Sequence, residues 1–241
     1  MTCEGGKSSS TIFRMKVLAA VPMALWAAPS PGADARPAAL PLLSDYFSPA
    51  TAAPTTPDRD GFIGRWLLLE PMTKPNRTNT VFTGRYVRQA LSRETYPGDF
   101  DAVPRAGQPA QSGEPLVWHA LDSKLWDVKL FNFAQALRKP TYGVVFWAVT
   151  VVESPREIEN VRIAVGSNSA SRWWLNGQEV AELFDDRRMV MDDVLSDRVT
   201  LRKGRNVIRG AVINGPGLSD FCVRLLDESG EPIRDLKVDV L

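Results

Sequence analysis

From about residue 60 onward, the apolar residues fall into short runs separated by turn-forming residues, and most of these runs read as strands. Arg65-Trp66-Leu67-Leu68-Leu69-Glu70 is a short apolar run closed by Pro71. Residues 142–152 (YGVVFWAVTVV) are β-branched and aromatic, the composition of a central strand. Residues 127–133 alternate at first, and 161–165 alternate cleanly. Residues 198–201, a turn at Lys203-Gly204, the run 206–213, the run 221–226 and a last strand near Ile233 complete the series. Many short strands with turn signals between them predict a sandwich or a barrel. One helix is expected near 83–91, where Thr83 can cap and Tyr86, Val87, Ala90 and Leu91 share a helical spacing. Residues 97–115, rich in Gly, Pro and polar residues, predict a long surface loop.

Residues 173–180 (WWLNGQEV) pose a sharper question. Asn176-Gly177 between apolar runs marks a two-residue hairpin turn. That turn sets Leu175 against Gln178, Trp174 against Glu179 and Trp173 against Val180. Directly opposed residues share a face, so Trp173, Leu175 and Val180 form an apolar face. Arg172, Trp174, Glu179 and Ala181 form an amphipathic one. Trp174 then has two readings. It packs beneath a crossing loop or the segment around Trp66, with Arg172 stacked on it, the commoner fate of a large aromatic. Alternatively it is a sugar-stacking platform, with Arg172 and Glu179 bonding the hydroxyls.

Composition narrows the field. The chain has 241 residues, 44% of them hydrophobic and 24% charged, with a formal net charge of +1. That is ordinary globular composition, without the basic surplus expected of a nucleic-acid protein. No apolar run is long enough to span a membrane. Cys3 and Cys222 are the only cysteines and lie in no metal-binding spacing; Cys222, in a strand-like run, reads as a small buried hydrophobe. Arg14 and Lys16, the apolar stretch 17–28 and Ala33-Asp34-Ala35 follow the order of a secretory signal. Residues 1–35 are therefore expected to be a signal peptide with an N-terminal extension, and the mature protein to be secreted or periplasmic. Residues 36–60, rich in Pro, Ala and Thr, read as a tether, and 61–241 as a single domain.

Candidate chemistry is sparse. His119 is the sole histidine. With Ser123 nearby in sequence it offers a weak route to an esterase, although a structural role is favoured because a triad also needs an orienting acid and oxyanion donors. No Gly-x-Ser-x-Gly elbow is present. Asp185-Asp186-Arg187-Arg188 and Asp192-Asp193 group four carboxylates. Calcium is conceivable there, but the arginines oppose a cation and no Asp-x-Asp-x-Asp-Gly loop occurs. Charge pairs at strand ends are the expectation, with no cofactor. Asn76-Arg77-Thr78 matches the glycosylation triplet, a pattern frequent by chance.

Three pieces of the chain resemble a known family. They are Val165-Gly166-Ser167 before Trp174-Leu175-Asn176-Gly177, then residues 201–208 (LRKGRNVI), then Val223-Arg224-Leu225-Leu226-Asp227. Together they resemble the galactose-binding-like jelly-roll modules attached to bacterial polysaccharide-degrading enzymes. Residues 65–71 also look like the opening strand of such modules, and 62–236 is loosely similar to non-catalytic regions of secreted acetylxylan esterases. The resemblance implies an all-β jelly-roll β-sandwich with one or two short helices. It also implies a link to plant-polysaccharide breakdown, through binding of a polysaccharide or oligosaccharide or through bracing a neighbouring polysaccharide-active enzyme. The alternatives are a carbohydrate esterase using His119 and a structural module that docks on a protein through the Trp174 face.

Overall fold

A computed structural model of the chain describes residues 43–74, 83–214 and 217–240. The expected signal segment and the Asn76 triplet lie outside the described residues. In chain order the helices are α1 (Leu43–Tyr46), α2 (Gly84–Ala90) and α3 (Leu130–Ala136). The strands are β1 (Phe47–Pro49), β2 (Arg65–Leu69), β3 (Met72–Thr73), β4 (Trp118–Ser123), β5 (Val144–Ser154), β6 (Ile158–Ser167), β7 (Ser171–Leu175), β8 (Gln178–Leu183), β9 (Val194–Leu195), β10 (Val199–Leu201), β11 (Gly204–Ile213), β12 (Phe221–Leu226) and β13 (Lys237–Asp239).

They form an antiparallel β-sandwich. The larger sheet has nine strands in the order β1-β4-β2-β5-β11-β7-β8, with β3 and β13 also pairing with β5. The smaller has four, β10-β6-β12 with β9 on β6. The run at 142–152 does become the central strand: β5 pairs with β11 over ten consecutive residues, from Gly204↔Ser154 to Ile213↔Val145, and with β2 on its other side. Its apolar character is continuous because both of its faces are covered. One face carries Phe146, Ala148 and Val152 into the core between the sheets, where they share a cluster with Ile163, Val165, Phe221 and Val223 of the smaller sheet. The other carries Val145, Trp147 and Val149 into a second cluster beneath the segment that contains Val87, Leu91, Tyr96, Phe100 and Leu116.

The helix expected near 83–91 is α2, with the Thr83 hydroxyl accepting from Tyr86 N. Two local expectations change. The alternation at 127–133 does not continue as a strand: Val128 makes an isolated bridge with Phe221, and α3 begins two residues later with Leu130, Phe133 and Ala134 buried. The apolar spacing serves a helix equally well over so short a run. Residues 43–60 are also not a tether throughout. β1 pairs with β4, Thr55 bridges to Val238, and Phe47 is buried. Arg65, 1% exposed, chelates Asp122 at 2.6 and 2.8 Å and donates to the carbonyls of Thr51 and Ala53. A buried guanidinium needs those acceptors, and the Ala/Pro/Thr segment supplies them.

Candidate functional site

The hairpin forms at the expected turn. Asn176 and Gly177 both have positive φ, 50° and 83°, the geometry that makes Asn-Gly the preferred pair. The register holds for Leu175↔Gln178 and Trp174↔Glu179 and then slips by one, giving Trp173↔Ala181 and Arg172↔Glu182. Val180 is the extra residue of a bulge, which moves Ala181 to the Trp173 face and brings Glu182 beside Arg172.

The two tryptophans serve the two cores. Trp173 lies between the sheets, edge-on to Trp66 with centroids 6.1 Å apart and tilted against Phe221 at 5.0 Å; its N–H donates to Ser171 Oγ. Gly210 makes room for it, since a Cβ there would stand 2.2 Å from its ring. Trp174 faces the other way, as the alternation requires, but it is only 3% exposed. It stacks on Trp147 at 5.8 Å, and Phe100 closes over it edge-on at 5.5 Å. The Arg172 guanidinium stands 5.3 Å from its centroid. The ring is packed beneath a crossing segment, as the first of its two readings has it, and only its 3% exposed remainder lines a depression.

Arg172 and Glu179 are likewise occupied. Arg172 donates to the carbonyls of Arg88 and Leu91 at the end of α2 and pairs with Glu179 and Glu182. It therefore fastens the hairpin to the helix and satisfies the helix's last carbonyls. Burial, together with the adjoining Glu182 carboxyl, pushes the Glu179 carboxyl above its ordinary range. Glu182, although also penalised by burial, is held below that range by Arg88 and Arg172. A depression of about 370 Å³ remains beside these groups, with Trp174 among its lining residues, but the ring is only 3% exposed there.

His119 and Ser123 do not converge. They lie four residues apart along β4, roughly 13 Å at about 3.3 Å per residue. The Ser123 hydroxyl donates to the carbonyls of Leu125 and Asp127. His119 Nε2 lies 3.3 Å from Glu70 Oε1, and its ring meets Phe133 edge-on. Glu70 also pairs with Lys139 at 2.9 Å. Against the penalty of burial, Lys139 and His119 hold the Glu70 carboxyl below its ordinary value. The neighbouring acid, Asp122, is bound to Arg65. In the acidic stretch, Asp193 pairs with Arg187 and Asp192 with Arg224, charge pairs of the expected kind.

A different indole is available. Six tryptophans lie among the described residues. Trp66, Trp118, Trp147, Trp173 and Trp174 are each exposed by 3% or less, whereas Trp126 is only partly covered. Trp126 sits in the bend after β4, its ring backed by Phe62 at 5.4 Å. Arg224, anchored on Asp192, covers the Phe62 ring. Beside Trp126 runs a groove of about 280 Å³ lined by Leu125, Thr55, Thr56, Asp58 and Lys124, among others. Leu125 is 43% exposed, and Thr56, Asp58 and Lys124 are exposed as well. The bend is held from within. Ser123 Oγ donates to the Leu125 and Asp127 carbonyls and accepts from Leu125 N, while Lys124 N donates to Tyr46 O. The serine considered as a nucleophile is thus the pin that fixes the tryptophan. Asp58 Oδ1 takes the N–H groups of Asp60 and Phe62, setting the opposite wall. Arrangement of residues 51–62 as a wall depends on the packing around Arg65, which no local pattern signals. The apolar pair Leu125-Trp126 between Lys124 and Asp127 was the available sign, since a bend frees both side chains from strand alternation.

No family model matches the chain, and no curated protein matches it. Among solved structures it is similar to the PA14 sugar-binding domain from an RTX adhesin (13% identity, TM-score 0.39, covering 71% of this chain and 95% of that one). It is also similar to the PA14 domain of the MpAFP antifreeze protein (11% identity, TM-score 0.37, covering 68% and 82%). A third similarity is to the GH31 alpha-xylosidase from Xanthomonas citri (11% identity, TM-score 0.29, covering 53% and 16%). The first two neighbours are PA14 domains rather than galactose-binding-like modules.

Proposed function

We propose that this chain is an exported carbohydrate-binding module, accessory to polysaccharide breakdown, and that its sugar platform is Trp126. The observation that carries this reading is the partly uncovered indole, braced from behind by Phe62, in a groove that also offers the Thr55 and Thr56 hydroxyls and the Asp58 carboxylate. A pyranose has an apolar C–H face and a rim of hydroxyls. The indole takes the first, and the short polar side chains take the second. The platform is fixed before ligand arrives, because Ser123 pins its bend, so little ordering cost falls on binding. Trp174, Arg172 and Glu179 support the hairpin, and no pair formed by His119 and Ser123 is set for acyl transfer.

Affinity electrophoresis through gels containing neutral plant polysaccharides tests the reading. The protein is expected to be retarded by at least one of them, and Trp126→Ala to migrate freely. Loss of a central aromatic anchor costs about 2 kcal/mol, roughly 30-fold in Kd. Equal retardation of the variant, or free migration of the parent in every gel, overturns the proposal.

A further inference from the structure

Another concavity of the described residues lies elsewhere. It is a cleft of about 820 Å³ on the outer face of the larger sheet, within the size range of ligand-holding clefts. Val151 and Glu153 of β5, Arg205 of β11, and Asp239 with Val240 at the end of β13 form its floor, and residues 103–106 form its wall. The wall is fixed. Gly107 N donates to Trp118 O, Trp118 N to Gln108 O, and Arg105 N to the Gln108 side chain. Arg209, buried beneath, holds the Ala102 carbonyl.

The charges of this cleft are unusually open. Many of the protein's arginines are spent on carboxylates or carbonyls, as Arg65, Arg88, Arg93, Arg172, Arg187 and Arg224 show. The side chains of Arg105, Arg205 and Glu153 make no hydrogen bond or ion pair among the described residues, and all three are exposed. Glu153 stands directly across from Arg205 on one side and Lys237 on the other. Asp239 lies in the field of Arg65, which already holds Asp122. Among the lining residues Arg105 and Arg205 balance Glu153 and Asp239, and Lys237, across from Glu153, and Arg209 beneath add positive charge around them. Arg105 and Arg205 present guanidinium forks with all their donors available, the geometry suited to a carboxylate. Val151 and Val240, both buried, leave the floor between these charges apolar.

We infer that this cleft is a second binding site, distinct from the Trp126 groove, and that it takes an acidic saccharide, with a uronate carboxylate held by Arg105 and Arg205 and its hydroxyls donating to Glu153. The choice of a saccharide rests on the proposed function; the choice of an acidic one rests on the cleft. Titration of the protein with a short oligogalacturonate and with its fully methyl-esterified form separates the two, because the ester keeps the rings and hydroxyls and removes the charge. The free acid is expected to bind at least about tenfold more tightly, with an advantage that shrinks as salt rises. Arg105→Ala with Arg205→Ala should abolish that advantage while leaving Trp126-dependent retardation by neutral polysaccharide unchanged. Equal binding of acid and ester, no binding of the acid, or a preference that survives in the double variant overturns the inference. Loss of neutral binding alone would overturn the Trp126 reading and leave this one standing.

Discussion

Replacing Trp174 by alanine separates a packing role from a binding role. An indole of this size buries about 200 Å² on folding. At about 25 cal/mol per Å² its burial contributes roughly 5 kcal/mol, and large aromatic truncations in packed cores cost about 3–5 kcal/mol. Trp174 also stacks on Trp147 and lies under Phe100, and its loss leaves the Arg172 guanidinium above a void. The expected destabilisation is therefore about 4 kcal/mol. With a urea m-value of about 2 kcal/mol/M for a domain of this size, the midpoint of unfolding should fall by about 2 M. Urea denaturation followed by far-ultraviolet circular dichroism measures this directly. A loss below about 1 kcal/mol, the range of surface substitutions, would refute the second core and restore Trp174 as a surface residue.

Two further outcomes follow from the packing and the charges. Gly210→Ala drives a methyl to within 2.2 Å of the Trp173 ring, and overpacking of this kind should cost about 1–3 kcal/mol in the same assay; a neutral result would mean that the indole does not lie over β11. Glu70, whose folded carboxyl is held below its ordinary value of 4.5 by Lys139 and His119 against burial, contributes stability that is present above that value and is lost as pH falls through the lower folded value. Glu70→Gln should therefore lose stability at neutral pH and show a flatter stability profile below pH 4.5, and identical acid profiles for the two proteins would show that these pairs do not form.

The sandwich was legible because its strongest signals are local and repeated. The β-branched run 142–152, the Asn-Gly turn and the Thr83 cap each prescribe their own geometry, and each element appears where its residues require. What alternation gave for the hairpin was a direction for Trp174, not its surroundings. Whether an outward ring meets water depends on the segment around Phe100, about 75 residues earlier in the chain, and no periodicity links the two. The bulge at Val180 is similarly invisible, since one extra residue leaves the composition of the strand unchanged while exchanging the faces of Ala181 and Glu182. Residues 43–60 look too poor in apolar groups to pack, yet their carbonyls satisfy buried Arg65, a demand set by a strand beyond them. The groove beside Trp126 inherits that blind spot, because one wall comes from this segment and the other from a bend after a strand that carries no strong strand pattern.

Fluorine NMR of protein labelled with 5-fluorotryptophan, titrated with a neutral oligosaccharide drawn from the polysaccharide that retards it, addresses the central claim most directly. The chain has seven tryptophans, and substitution to phenylalanine assigns the resonances of Trp126 and Trp174. The Trp126 resonance should shift with added sugar while that of Trp174 stays fixed. A shift at Trp174 with none at Trp126 would contradict the account.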